Sequence, residues 1–82
     1  MDYYHYFSSK TFVELVHEFA AKTHILKPRY QIFGIKDENK FYSKMILDGT
    51  EYTGKVQPSE ILAKESVSLI GYKFIVNSIK RI

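Results

Sequence analysis

The spacing of the apolar residues changes at Pro28, and this change constrains the fold more than any other feature of the chain. Before Pro28, one apolar stripe follows the i, i+3, i+4, i+7 spacing of a helix face. Its members are Phe12, Leu15, Val16 and Phe19. After Pro28, residues 30–35 are rich in β-branched and aromatic side chains, which favour a strand. Because proline cannot continue a helix, the sequence predicts a helix that ends near Lys22 or Thr23 and a strand that follows it.

The start of this first helix has its own signal. Thr11 precedes the apolar stripe, and Glu14 follows three residues later. This is the spacing of a capping box, in which each side chain accepts a hydrogen bond from a free backbone N–H of the first turn. The first helix is therefore predicted to begin just after Thr11.

Two further strands are predicted after the first. Residues 36–39 form a polar turn, and residues 41–47 have the composition of a second strand. Asp48-Gly49 then indicates a tight hairpin, because a type I′ turn needs positive φ at both central positions. Residues 50–53 complete the sheet as a third strand.

A second helix is predicted from Pro58 and Ser59 onward, since proline is tolerated in a first helical turn. Its apolar stripe comprises Ala63, Val67, Ile70, Gly71 and Phe74. The spacing allows the helix to continue toward Ile82. The predicted fold class is therefore α+β with the order α-β-β-β-α. A three-stranded antiparallel sheet, in the order 1-2-3, has both helices packed on one face.

The size of the chain predicts one domain with a single core. The sequence has 82 residues, of which 45% are hydrophobic and 16% aromatic, so it contains enough apolar surface to fold. We assign residues 10–82 to the domain and residues 1–9 to an N-terminal extension. This extension is aromatic at Tyr3, Tyr4, Tyr6 and Phe7, and we expect it to pack onto the domain or onto a partner.

Charge and composition exclude several functional classes. The 12 basic and 9 acidic residues give a net charge of +3 and are interspersed along the chain, which permits nucleic-acid binding without indicating it. No cysteine is present, and this fits an intracellular protein of the cytoplasm or nucleus. The sequence has no apolar run long enough for a membrane span, so we expect no membrane partner.

No catalytic or metal-binding constellation is predicted. The histidines are His5, His17 and His24, and without cysteines their spacing does not suggest a tetrahedral zinc site. No serine is marked as an activated nucleophile, and the four glycines do not form a phosphate-binding loop. We therefore expect no catalytic residue, no metal, no cofactor and no small-molecule substrate, and we predict that the protein is not an enzyme.

Two segments carry a family resemblance. The first helix ends in Glu18-Phe19-Ala20-Ala21-Lys22, and Pro28-Arg29-Tyr30 opens the first strand. Together with the order of helices and strands, these motifs resemble a double-stranded-RNA-binding domain over residues 10–75. Such domains recognise A-form RNA by shape, through two minor grooves and the phosphates between them, over about 16 base pairs.

The resemblance implies three RNA-contacting regions. The sequence departs from the family pattern at two of them and so resembles a degenerate member of the family. The first helix keeps Glu18, with Lys22 nearby. The loop at residues 36–39 lacks the proline and histidine of the family pattern. At the start of the second helix only Lys64 matches the family's lysines, while Glu60 and Ile61 replace others. If RNA binding is retained, it is expected to use Glu18, Lys22 and Lys64, with fewer phosphate contacts than usual.

Apolar residues outside the predicted core stripe point to a second kind of function. Ile61, Leu62 and Leu69 lie off the stripe of the second helix. The aromatic N-terminal residues or a C-terminal extension could cover them, or a protein partner or a second copy of the chain could do so. We favour a protein-interaction or dimerisation module in an RNA-associated assembly. The alternative is weak, shape-selective binding of double-stranded RNA.

Overall fold

The computed structural model describes the backbone of residues 10–80 and the side chains of residues 10–78. The predicted N-terminal extension, residues 1–9, lies outside the described residues. The chain forms a helix, three strands and a second helix. Their bounds are α1 Phe12–Lys22, β1 Arg29–Ile35, β2 Lys40–Leu47, β3 Thr50–Thr53 and α2 Glu60–Lys80. The predicted α+β fold with the order α-β-β-β-α is confirmed.

The three strands form one antiparallel sheet in the order β1-β2-β3. In β2, Ser43, Met45 and Leu47 are buried, so alternate residues of the central strand face the helices. The opposite face carries Phe33 and Tyr42, which are register partners. Their rings stack with centroids 5.0 Å apart. Both helices therefore pack on one face of the sheet, as predicted.

The capping box predicted at the start of α1 is present. The Glu14 N–H donates to the Thr11 hydroxyl oxygen at 3.1 Å, and the Thr11 N–H donates to the Glu14 carboxylate at 2.8 Å. These two bonds satisfy backbone donors that have no partner within the helix. The predicted end of the helix near Lys22 is also confirmed.

The hairpin between β2 and β3 has the predicted turn. The φ angle is 52° at Asp48 and 81° at Gly49. Both lie in the left-handed region, which a two-residue type I′ turn requires and which aspartate and glycine tolerate. The turn aligns Leu47 with Thr50 and Met45 with Tyr52. This register places Tyr52 beside the core.

Helix α2 packs against the sheet with Ala63, Val67, Gly71 and Ile75, which are all buried and spaced four residues apart. The backbone approaches closely at Gly54, where an added Cβ would lie 2.8 Å from the Val67 nitrogen. The predicted stripe is wrong at its last position. Phe74 is 59% exposed, and Ile75 takes the buried place. Phe74 instead lies against the edge of the Tyr52 ring, with centroids 5.9 Å apart.

The core joins both helices to the central strand. Val16 and Ala20 of α1, Met45 of β2 and Val67 of α2 are fully buried. The buried hydroxyl of Ser68 is 2.7 Å from the Tyr30 hydroxyl. This contact satisfies a polar group that would otherwise be costly inside the core.

Candidate functional site

The outer face of α1 carries the first predicted RNA-contacting residues. The Glu18 carboxylate accepts a hydrogen bond from the Lys10 ammonium group. This bond lowers the pKa of Glu18, because it favours the charged form. Lys22 is exposed in the last turn of the helix. Glu18 is therefore already paired within the domain, whereas the Lys22 side chain is open to solvent.

Lys64 lies in a basic cluster built around Tyr30. The Lys64 ammonium group is 4.7 Å from the centroid of the Tyr30 ring. The His17 ring stacks on the same tyrosine, with centroids 6.1 Å apart. Burial, followed by the positive charges of Lys27 and Lys64, lowers the pKa of His17. The cluster brings together residues of α1, β1 and the first turns of α2.

The turn between β1 and β2 is short and offers no equivalent surface. Residues 36–39 are all exposed. Asp37 and Asn39 have φ angles of 65° and 52°, and the Glu38 N–H donates to the Ile35 carbonyl at 3.2 Å. These features make a tight turn with two carboxylates on its surface. Because the exposed Lys36 and Lys40 balance these carboxylates, the turn offers a polyanion no net positive charge.

The first turn of α2 does not carry the cations that the family resemblance would place there. Glu60 is exposed, and the neighbouring Ile61 is 80% exposed. The Ser59 hydroxyl oxygen accepts the Leu62 N–H at 3.1 Å and so caps the helix. The N-terminal end of α2, which the resemblance would place opposite phosphates, therefore exposes an acidic and an apolar side chain. Lys64 is the cation that remains near it.

A groove of about 350 Å³ lies along α2, and it contains two of the three predicted interface residues. Its apolar side chains are Phe12, Leu62, Leu69 and Ile70. Lys55 and Lys73 are exposed side chains that line it as well. Leu62 is 45% exposed. Ile61 is not among the lining residues, and it lies about 80–100° around the helix from the other two.

The walls of this groove are held in place by hydrogen bonds. The Glu65 carboxylate accepts the N–H of Phe12 at 2.6 Å and that of Val13 at 3.3 Å. This ties α2 to the first turn of α1. On the other side, the Lys55 N–H donates to the Ser66 hydroxyl at 2.9 Å. The groove is thus a preformed feature of the fold.

The sequence reasoning missed several residues of these two surfaces. Lys27 belongs to the basic cluster, and Phe12, Lys55 and Lys73 line the groove. Phe12 was assigned only to the apolar stripe of α1. The lysines had no distinguishing pattern, because their positions depend on contacts between distant segments.

Among residues 10–80, no group of histidine, aspartate and glutamate side chains is placed to hold a metal ion. In that same part of the chain, neither helix combines the length and apolar character that crossing a membrane requires.

The fold and its two surfaces define an α+β domain with a basic cluster and an apolar groove on its helical layer. No family model matches the chain, and no curated protein matches it in sequence. Solved structures do match. The structure of Arabidopsis HYL1 is 23% identical, covers 82% of this chain and 99% of the other, and gives a TM-score of 0.76.

Two further structures have the same fold. The second double-stranded-RNA-binding domain of DRB4 is 23% identical, with 83% of this chain and 99% of that chain covered and a TM-score of 0.69. The corresponding domain of human tRNA-dihydrouridine(20) synthase is 16% identical, with a TM-score of 0.70. That match covers 73% of this chain, which spans 64% of the other. The predicted resemblance to double-stranded-RNA-binding domains is therefore confirmed at the level of the fold.

Proposed function

We propose that this domain is a non-catalytic protein-interaction module that acts within an RNA-associated assembly. The observation that carries the proposal is the groove along α2, in which Leu62 and Leu69 lie beside Phe12 and Ile70. Apolar side chains grouped in a preformed groove are typical of a surface that a partner covers. The link to RNA rests on the fold, since the structure of Arabidopsis HYL1 is described in connection with miRNA processing.

The condition of the RNA-contacting regions supports the same proposal. The turn at residues 36–39 and the first turn of α2 present carboxylates or apolar groups. Glu18 is paired with Lys10. Each phosphate contact that is missing removes some counterion release, and this lowers the affinity for a duplex. The groove, in contrast, has its walls fixed by the Glu65 and Ser66 hydrogen bonds.

The test compares the full chain with Leu62→Glu and Leu69→Glu in two measurements of association. Sedimentation equilibrium measures self-association, and selection from a display library of random peptides measures binding to another protein segment. Leu26→Glu is the matched control, because Leu26 is 86% exposed and does not line the groove. Circular dichroism confirms that each variant is folded.

We expect the unmodified chain to associate in at least one measurement. Leu62→Glu and Leu69→Glu should abolish this association, and Leu26→Glu should retain it. A buried charge opposite an apolar partner is costly, which is why one glutamate suffices. Association that all three variants retain, or no association in either measurement, would refute the assigned surface.

A second candidate function is weak, shape-selective binding of double-stranded RNA. The basic cluster favours it, because His17 and Lys64 both lie against the Tyr30 ring and the positive charge of Lys27 acts on His17. Titration with an RNA duplex of about 20 base pairs, at low and physiological salt, tests it against a DNA duplex of equal length. Micromolar or tighter binding that prefers RNA and weakens with salt would support this function.

The variant Lys64→Ala tests whether Lys64 contributes a phosphate contact to duplex binding. We expect it to weaken binding to a similar extent for every duplex sequence, since a phosphate contact carries no sequence information. Lys55→Ala is the control, because Lys55 lies at the groove and not in the basic cluster. Losses that depend on the duplex sequence would contradict the assigned role of Lys64.

A further inference from the structure

The groove along α2 has a charge pattern that specifies its partner. Both basic side chains at its edge, Lys55 and Lys73, are exposed. Among the described residues, Glu65 is the one carboxylate that lines it, and it accepts hydrogen bonds from the N–H groups of Phe12 and Val13. This carboxylate lies at the positive end of α1, and the two lysines outnumber it. Among the described lining residues, the groove therefore combines an apolar floor with a net positive charge.

The length of the groove fits a short helix. Leu62 and Lys73 are eleven residues apart along α2, which corresponds to about 16 Å, or about three helical turns. Between them, Ser66 and Leu69 follow at three- and four-residue spacing, so the lining side chains form one continuous strip. A partner helix with apolar residues at the same spacing can lie along such a strip.

We propose that the groove binds an amphipathic helical segment of a protein partner, whose apolar face is flanked by aspartate or glutamate. This inference rests on the proposed function and names the chemistry of the partner. Carboxylates on the flanks would meet Lys55 and Lys73, while leucine-like side chains would cover Leu62 and Leu69. The apolar floor disfavours a nucleic-acid backbone, which needs polar and cationic contacts along its length.

A second copy of this chain fits the groove less well. Two-fold symmetric pairing brings the same patch of both copies together. Both copies would then bring Lys55 and Lys73 into the same interface. The described lining residues include one carboxylate, Glu65, beside these two lysines. It already accepts two backbone N–H groups, and it would offset only part of this repulsion.

Two synthetic peptides test the charge pattern directly. Both carry the same leucine stripe on a stapled helix, and they differ only in flanking residues, which are glutamate in one and lysine in the other. Fluorescence anisotropy measures their binding to the full chain at salt concentrations of about 0.05 M and about 0.5 M. We expect the glutamate peptide to bind at least about tenfold more tightly at the lower salt, and the difference to shrink at the higher salt.

Substitutions in the chain complete the test. The double variant Lys55→Glu/Lys73→Glu should reverse the preference between the two peptides, whereas Leu69→Glu should abolish binding of both. The matched control is Lys36→Glu/Lys40→Glu, which alters the same number of charges at exposed residues outside the groove. That control should keep the preference for the glutamate peptide.

Several results would overturn the proposal. If the glutamate and lysine peptides bind with equal affinity and Leu69→Glu still abolishes binding, the partner does not need acidic flanking residues. The proposed interaction function would then remain intact. Absence of binding by both peptides would disprove the helical partner, independently of the library selection. A dimer that dissociates in Leu69→Glu would place a second copy in the groove. Amide shifts of residues 1–9 in that variant, measured by NMR, would assign the groove to the chain's own first residues.

Discussion

Glu65 joins the two helices, and its removal gives the most direct test of how the helical layer is held together. The carboxylate accepts the N–H groups of Phe12 and Val13, which open α1, at 2.6 and 3.3 Å. These donors have no partner within their own helix. We expect Glu65→Ala to leave them without a protein acceptor and to weaken the docking of α1 on α2.

The geometry of these hydrogen bonds sets the expected loss in the free energy of unfolding. A hydrogen bond to a charged group contributes about 1.5–3 kcal/mol, and a carboxylate at a helix N-terminus adds about 0.3–1 kcal/mol. The second bond is long, and water can replace part of the interaction because Glu65 is only half-buried. We therefore expect a loss of about 2 kcal/mol in the free energy of unfolding. For a domain of this size, that lowers Tm by about 8–16 °C.

Urea and thermal unfolding, followed by circular dichroism, measure this loss. Glu65→Gln keeps one neutral acceptor and should cost about half as much. The control is Glu38→Ala, which removes an exposed carboxylate from the β1–β2 turn and should change stability by less than about 0.5 kcal/mol. NMR should show upfield shifts of the Phe12 and Val13 amide protons in Glu65→Ala. A variant as stable as the wild type, with these amide shifts unchanged, would refute the anchoring role.

Three other substitutions test the core and the basic cluster. Gly54→Ala should lower the free energy of unfolding by about 1–3 kcal/mol, because its Cβ would lie within 3.0 Å of three Val67 atoms. Tyr30→Phe removes the partner of the buried Ser68 hydroxyl and should cost about 1–3 kcal/mol. Adding Ser68→Ala should recover part of that loss, as urea unfolding would show. For His17, the lowered pKa in the folded state means that its stabilising effect is complete above its unfolded pKa of about 6.5 and is lost as pH falls. His17→Phe should therefore reduce the loss of stability between about pH 7.5 and pH 5.5.

Matched control variants separate these effects from nonspecific destabilisation of the domain. Gly34→Ala places a Cβ 3.6 Å from the Phe41 ring, an ordinary contact, so it should cost far less than Gly54→Ala. Strict additivity of Tyr30→Phe and Ser68→Ala would argue against their coupling. Equal costs for the two glycine variants would contradict the close approach of Gly54 to α2.

The parts of the fold that the sequence predicted are those governed by local interactions. Thr11 and Glu14 cap a helix through residues three positions apart, and Asp48-Gly49 sets a hairpin through two φ angles. In both cases the residues that determine the helix start or the turn are close together in the sequence. The order of strands then follows, because short connections join antiparallel neighbours.

The errors and omissions arise from contacts between distant segments. The apolar spacing predicts Phe74 in the core stripe of α2, but the structure buries the adjacent Ile75 instead. Glu65 meets α1 across a separation of 53 residues, which no local pattern predicts. Leu62 and Leu69 were predicted as surface residues, yet the groove between them exists only because Phe12 is held beside α2.

The two proposed surfaces lie on different sides of α2, so their functions can be separated. At 3.6 residues per turn, Lys64 lies about 160° around the helix from Leu62 and about 140° from Leu69. The ammonium group of Lys64 is over Tyr30, whereas Leu62 and Leu69 line the groove beside Phe12. A partner in the groove would therefore leave Lys64 uncovered. We expect Leu69→Gln, which adds no charge, to weaken peptide binding without changing the titration with duplex RNA. Lys64→Ala should do the reverse, and a variant that weakens both would show that the two surfaces act as one.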